Sequence, residues 1–317
     1  MDPPVIIWTN ELASYFYDVH ETSDGGFIVA GRKGSGPDKS VFLFDSYGNL
    51  VWEYGVSGYD YYQHARWIEE VPSGGYIATG CCRLSSSSSY TLFIARIDAE
   101  GNEEWKRLFG FEDSYEIGYC ILPLPDGGFA VCGEINPQTG MDQAWLLRTD
   151  SNGDTLWTDI WGEYSMNHAR RVIYNDGLLK VLSFGRIHPD SAKGTHLLTY
   201  DLNGNLLSEV RIAALGGDEG VDMCYSPSDG GYTIVTNNNA KIAHTDSLGN
   251  AIWYHGVSGY GFPEGYSVNR TMDQGYIYGG QNVPNPDYPW QVYSGMIVRY
   301  DYEGNELWLD YVYNSDC

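Results

Sequence analysis

The sequence predicts an all-β fold, a six-bladed β-propeller with four antiparallel strands in each blade. Three observations carry this expectation. A turn signature beginning with Asp recurs six times: DSYGN (45–49), DAEGN (98–102), DSNGD (150–154), DLNGN (201–205), DSLGN (246–250) and DYEGN (301–305). A second mark runs out of phase with it: SDGGFIVAG (23–31), PSGGYIATG (72–80), PDGGFAVCG (125–133), NDGLLKVLS (175–183), SDGGYTIVT (228–236) and MDQGYIYGG (272–280). Between the marks lie short runs rich in Val, Ile, Leu, Phe, Tyr and Thr, bounded by turn residues, with no sustained helical period.

Each unit then resolves into four strands. Strand A precedes the D-G-G turn, B follows it, C ends at the repeated Asp, and D begins after the Asn. Four strands in roughly 50 residues is a propeller blade. A solenoid of sheets is the alternative, disfavoured because solenoid repeats are shorter and need distinct caps. The expected blades run over approximately 12–57, 58–110, 111–162, 163–212, 213–257 and 258–313, in a single domain spanning 1–317. VIIW (5–8) and NELWLDYVY (305–313) both read as D-type strands. Residues 4–9 are therefore expected to join the last blade and close the ring, which removes exposed sheet edges.

Both turns have a local rationale. In Asp45-Ser46-Tyr47-Gly48 the Asp carboxylate accepts from the backbone and the Gly takes a positive φ. Leu124-Pro125-Asp126-Gly127 follows the same logic, with Pro presetting φ. Seven residues after each repeated Asp stands Trp52, Trp105, Trp157, Ser208, Trp253 or Trp308. That Trp is expected to pack on the outer strand and cover its neighbour.

The T-S-D-G-G-[FY]-I-V-A-G … D-S-x-G-N-L-x-W unit resembles the repeat of secreted bacterial β-propeller proteins, which are often surface proteins with a C-terminal sorting domain. The likeness runs from about Val5 to Tyr313. It implies the propeller fold and a place outside the cell or on its surface. It implies no particular activity, because the family has no shared catalytic motif to carry over. The fourth unit departs most: Leu178 stands where the first has Gly26, and Ser208 replaces the Trp.

Charge and composition narrow the function. The formal net charge is −24, from 18 Lys+Arg against 42 Asp+Glu. Such a surface repels phosphate backbones and anionic lipid, so neither nucleic acid nor a membrane surface is an expected partner. No apolar run reaches the roughly 18–20 residues of a membrane helix. Residues 1–10 lack the basic start and long apolar middle of a signal peptide. A monomer is expected, and no cofactor. A cation such as Ca²⁺ at the acidic rim is the one ion left open. In DSNGD, Asp150, Asn152 and Asp154 have the start of a calcium-loop spacing. However, Thr155 sits at the glycine position and Trp161 at the position of the bidentate Glu, which argues against a specific metal.

In a repeat protein the recurring residues build the scaffold, so function is sought in those that do not recur. Aligning the A strands on their turn places Tyr17, Arg66, Tyr119, Arg170, Asp222 and Tyr266 in one column. Two residues earlier stand Tyr15, His64, Ile117, His168, Gly220 and Glu264; two later the column is apolar. The change from apolar to mixed polar towards the D–A loop is the pattern of a channel mouth. With Glu116 from a D–A loop and Trp290 from the long sixth B–C loop, these residues form the candidate ligand site. Tyr and Trp faces suit sugars, while Arg, His and carboxylates fix hydroxyls. The opposing expectation is a closed network in which Arg66 and Arg170 pair with Glu116, Asp222 or Glu264.

The leading functional expectation is a secreted, non-catalytic binding or surface-interaction protein, with a glycan or small polar ligand at the channel mouth. The alternatives are an extracellular carbohydrate-active hydrolase or lyase using the same rim, and a purely structural surface module. No G-x-S-x-G, H-E-x-x-H or P-loop occurs, and spacing picks out no carboxylate pair. None of the six Cys falls in a C-x-x-C spacing. Counting outward from the Pro125-Asp126-Gly127 turn places Cys120 opposite Cys132, close enough for a disulfide or for two packed thiols. Cys81, Cys82, Cys224 and Cys317 are left without an assigned partner.

Overall fold

The computed structural model describes residues 14–33, 39–58, 61–85, 88–111, 114–137, 140–162, 166–186, 190, 192–237, 239–257, 262–283 and 294–312. It is a six-bladed β-propeller of four-stranded sheets, each in sequential order. Blade 1 is β1 (Ser14–Glu21), β2 (Phe27–Lys33), β3 (Val41–Phe44) and β4 (Leu50–Tyr54); blade 2 is β5 (Tyr61–Glu70), β6 (Tyr76–Arg83), β7 (Tyr90–Ile97) and β8 (Glu103–Phe109). Blade 3 is β9 (Tyr115–Pro123), β10 (Phe129–Asn136), β11 (Gln143–Thr149) and β12 (Thr155–Trp161); blade 4 is β13 (His168–Asn175), β14 (Leu178–Gly185), β15 (Gly194–Asp201) and β16 (Leu206–Arg211). Blade 5 is β17 (Gly220–Ser226), β18 (Gly231–Thr236), β19 (Lys241–Thr245) and β20 (Ala251–Gly256); blade 6 is β21 (Phe262–Arg270), β22 (Tyr276–Val283), β23 (Ser294–Tyr300) and β24 (Glu306–Val312). The expected closing strand at 4–9 lies outside the described residues.

The chain divides into two compact units. The first holds Ile6–Asp176 with Leu202–Gly204, and the second holds Gly177–Asp201 and Asn205–Cys317 with Met1–Val5. Within the first, β1 packs on β5, β5 on β9 and β9 on β13; within the second, β17 packs on β21. The B and C strands carry the core. β6 and β7 are buried along nearly their whole length, which is why they read as unbroken apolar runs rather than as alternating ones. Ile28, Val41, Ile68 and Phe93 join blades 1 and 2; Ile77, Ile94, Ile121 and Phe129 join blades 2 and 3. In the second unit, Val235, Ile242, Val268 and Val298 do the same for blades 5 and 6.

The repeated Asp is a turn residue, as its spacing predicts. Asp45 accepts from the backbone N–H of Tyr47 (2.9 Å) and of Asn49 (2.8 Å), and from the Asn49 side chain (2.8 Å). Gly48 sits at φ 81° and donates to Asp45 O at 3.0 Å. The bonds from Asn49, side chain first, hold the Asp45 carboxyl below its ordinary range.

The repeated Trp has a more specific role than general cover. Trp52 lies against Gly101, in the D-x-x-G turn of the next blade, and its indole N–H donates to Ala99 O at 3.0 Å. Trp105 lies likewise on Gly153, Trp157 on Gly204, and Trp253 on Gly304. A Cβ on Gly101 would stand 2.7 Å from Trp52 Cδ2. The Gly therefore serves both the positive φ of its own turn and the flat seat for its neighbour's indole. In blade 4, which has Ser208 instead, Val210 occupies the corresponding place over Gly249.

The second turn is held from strand C. Arg148, 1% exposed, donates to Phe129 O (3.3 Å), to Thr149 O and to the Asp126 carboxylate. Arg299 repeats this in blade 6 with Asp273; in blade 2 Arg96 bonds Tyr76 O and Ile97 O and reaches the turn through Gly74 O and the Ser73 hydroxyl; and His244 bonds Asp229 at 2.7 Å in blade 5. The guanidinium passes over Gly128, where any Cβ would meet both Arg148 and Thr149 O. The two signatures are thus physically coupled in blades 2, 3, 5 and 6, where the residue two before the repeated Asp latches the turn of the same blade; blade 1 has Leu43 and blade 4 Thr199 at that position. Cys120 pairs with Cys132 in the β9–β10 register, as counted from the turn. Both are buried free thiols, and Cys120 receives a further contact from Arg171 at 3.4 Å.

Candidate functional site

The site is built on a defect in the innermost strands. In β1, β5, β9 and β21 the pairing with the B strand slips by one residue, leaving Tyr17, Arg66, Tyr119 and Tyr266 outside the register. These are the residues that the sequence placed in one polar column. A bulge re-aims the side chain it carries, and bulges gather next to binding sites. Blade 5 corrects the column: its bulge falls at Val221, one residue before Asp222.

Asp222 is accordingly a strut. It is 5% exposed and accepts from the N–H of Val268 in β21 at 2.9 Å and of Met223 at 2.9 Å. Its counterpart Asp18 accepts from Ile68 in β5 at 3.0 Å. Glu116 is also withdrawn from the site. At 1% exposure it accepts from Phe111 N–H (3.2 Å) and from the Ser114 hydroxyl, so it braces its own D–A loop. Burial pushes its carboxyl up against those bonds. In blade 6, Glu264 bonds the Tyr266 hydroxyl and the Gln281 amide, each at 2.7 Å. Tyr15 is 65% exposed on β1. Trp290 lies outside the described residues.

The remaining predicted residues come together in the first unit, at the end of blades 1 to 3 and β13 where the D–A and B–C connections meet. Tyr17 donates to His64 Nδ1 at 3.1 Å and stacks on its ring, and the Arg66 guanidinium lies 4.1 Å over the Tyr17 ring. Arg170 contacts His168 Nδ1 at 3.0 Å and lies 4.2 Å over Tyr119. Each Arg lies over the bulged Tyr of the preceding blade, while Glu116, one of the acids expected to pair with them, bonds within its own loop.

Residues of the B strands complete the array. Arg32 lies 3.9 Å over Tyr62, whose ring is 4.4 Å from His64; Arg83 lies 4.7 Å over Tyr90. Glu134, 4% exposed, pairs with His168 Nε2 at 3.2 Å, with Asp142 at 4.0 Å from the same nitrogen. Aligning only the A strands leaves these unseen. Extending the alignment to the B strands places Arg32 and Glu134 in one mixed column with Cys81, Phe184, Asn237 and Gln281, and Arg83 in another with Asn136 and Arg186.

Two imidazoles in this unit are displaced in opposite directions. Burial first, then the charges of Arg66 and Arg32, pull His64 down to about 4. Burial also works against the charged form of His20, but the Asp18 hydrogen bond at 3.1 Å, the Asp18 charge and Glu69 outweigh it and raise it. His64 therefore contributes stability that is present above the unfolded value of about 6.5 and is lost as pH falls towards about 4. His20 contributes stability that is present below about 6.5 and is lost as pH rises through its raised value. An NMR titration of the ring protons should find His64 neutral at pH 5.5 and His20 still protonated at about pH 6.5. Coincident midpoints would contradict the described packing.

No protein-family model matches the chain, and no curated protein matches its sequence. Solved structures match its fold. A protein of unknown function from Bacteroides caccae aligns over 90% of this chain and 93% of its own, at 14% identity and a TM-score of 0.58. The Dos1 propeller aligns over 97% and 75%, at 11% identity and a TM-score of 0.58. Saccharomyces cerevisiae Sqt1 aligns over 96% and 87%, at 10% identity and a TM-score of 0.54. At such identity the likeness is one of fold. No helix among the described residues is long and apolar enough to cross a membrane.

Proposed function

We propose that this protein is a non-catalytic binding module that takes a small polar ligand, of the size of a short glycan, at the D–A end of blades 1 to 3. One observation carries the reading. The unrepeated residues Tyr17, His64, Arg66, Tyr119, His168 and Arg170 converge there, the two His buried, Tyr17 exposed and the others partly buried, ordered by ring contacts, with hydrogen-bonding capacity still unspent at His64 Nε2 and Arg66 Nε. A preformed aromatic and polar surface with free donors loses little entropy on binding. The resemblance of the repeat to secreted bacterial propellers supports a place outside the cell or on its surface.

Glu134 and His168 are the pair from which acid–base chemistry would be built on this face. They are 4% and 9% exposed and face each other, so a substrate would have to displace their own contact to reach them. That geometry favours an anchor for β10 and β13 over a catalytic pair.

The test is a glycan and small-ligand screen read by thermal shift, on wild type and on His64→Ala and Arg170→Ala. A ligand that raises the midpoint of wild type and loses at least about tenfold in affinity in both variants is the expected result. A screen in which nothing binds would remove the reading.

A further inference from the structure

We infer that the ligand is anionic, and that Arg32, Arg66 and Arg83 grip its carboxylate, sulfate or phosphate groups; this rests on the proposed binding role of the same face. The three guanidiniums are partly buried and contiguous through their rings. Arg32 and Arg83 approach the same Tyr62, at 3.9 and 5.6 Å, and Tyr62 abuts His64, which joins Tyr17 under Arg66.

Their contacts are unlike those of seven basic residues held by carboxylates. Lys33 pairs with Glu53, Arg96 with Glu104, Lys106 with Glu103, Arg107 with Asp154, Arg148 with Asp126, Lys241 with Asp218 and Arg299 with Asp273. Among the described residues, no carboxylate pairs with Arg32, Arg66 or Arg83. Their contacts are ring faces, and the Nε–H of each is buried without an acceptor. In a chain with 42 acidic residues, three adjacent arginines without a described carboxylate go against the composition.

Stacking uses the face of a guanidinium and leaves its edge, with up to five N–H donors in a fixed fork. A buried donor left unmade is costly, and an oxyanion accepting two parallel N–H bonds satisfies that edge best. Because Tyr17 and Tyr62 are already covered by guanidiniums, they are not free platforms for a neutral sugar. The ligand must also be small. A long polyanion would meet the rest of a surface with a net charge of −24, whereas a molecule carrying two or three oxyanion groups would meet only the arginine edges.

Isothermal titration of the full chain with citrate, pyrophosphate, trigalacturonate and neutral maltotriose tests this. The proteins are wild type, Arg66→Gln, Arg83→Gln, Arg66→Lys and the distant control Arg107→Gln. The expected result is that at least one anionic probe binds about tenfold or more tightly than maltotriose and weakens with added salt. That affinity should fall about tenfold in Arg66→Gln and Arg83→Gln, fall less in Arg66→Lys, and hold in Arg107→Gln. Preference among citrate, pyrophosphate and trigalacturonate identifies which oxyanion is taken. Maltotriose binding as tightly as the anions, or anion binding unchanged in both Gln variants, overturns the anionic assignment and leaves the binding role standing. No binding by any probe, neutral or charged, removes both. The salt dependence of wild type decides the matter without any variant, should one fail to fold.

Discussion

Replacing Trp52 by Ala is expected to cost about 3 kcal/mol of stability, a large effect for a residue on an outer strand. The change removes the ring's edge contact with Tyr76 at 5.7 Å, the N–H bond to Ala99 O, and the seat on Gly101. Because the indole reaches into the next blade, the loss falls on the joint between two sheets and not on one. Trp52→Phe should recover roughly half, keeping apolar cover but not the donor. Gly101→Ala should cost about 2 kcal/mol, from a φ of +87° together with the approach of its Cβ to the indole. The two sites are coupled, so the decisive measurement is the double-mutant cycle in urea. With Trp52 already removed, Gly101→Ala should cost only the backbone term of about 1 kcal/mol. Strict additivity would show that Trp and Gly recur for separate reasons.

That coupling also explains what was legible in the sequence. The blade count, the strand order and the turns are dictated by local chemistry: an Asp that satisfies its own turn, a Gly with positive φ, and apolar runs of strand length. Each acts within a few residues, and each repeats six times. The Cys120–Cys132 register follows from turn length for the same reason. The candidate site was legible only where the backbone keeps step with the alignment. Counting back from the turn found Tyr17, Arg66, Tyr119 and Tyr266, because the bulge falls at the same distance in those blades. It misplaced Asp222, because blade 5 slips one residue earlier. Glu116 looked available because charge suggests solvent, but its loop folds over it and uses both its charge and its lone pairs. Arg32, Arg83 and Glu134 reach the same face from the neighbouring strand, a long-range juxtaposition that no spacing within one strand encodes.

Arg148→Met is expected to cost about 3 kcal/mol, and Asp126→Ala less than about 1 kcal/mol, although the two are ion-paired. The asymmetry follows from where each charge sits. The Asp126 side chain is 56% exposed, so removing it returns one edge of the guanidinium to water and costs little. The Arg148 side chain is 2% exposed, and its other donors end on Phe129 O and Thr149 O. Met fills much of the same volume but leaves those carbonyls facing an apolar group, and it uncovers the flat contact over Gly128. An ion pair that mattered for its charge would make the two substitutions equal, since either one breaks it. A latch that matters for its hydrogen bonds makes the Arg side dominant, and Arg148→Lys should then recover little, because a single ammonium cannot span both carbonyls and the carboxylate. Urea midpoints for the three variants decide between these accounts. Blade 4 supplies an internal control: with Thr199 at the position of Arg148 and Leu178 in place of Gly128, it has given up both halves of the device together. Thr199→Arg alone should therefore destabilise, because Leu178 stands on β14 where the other blades leave room for the guanidinium.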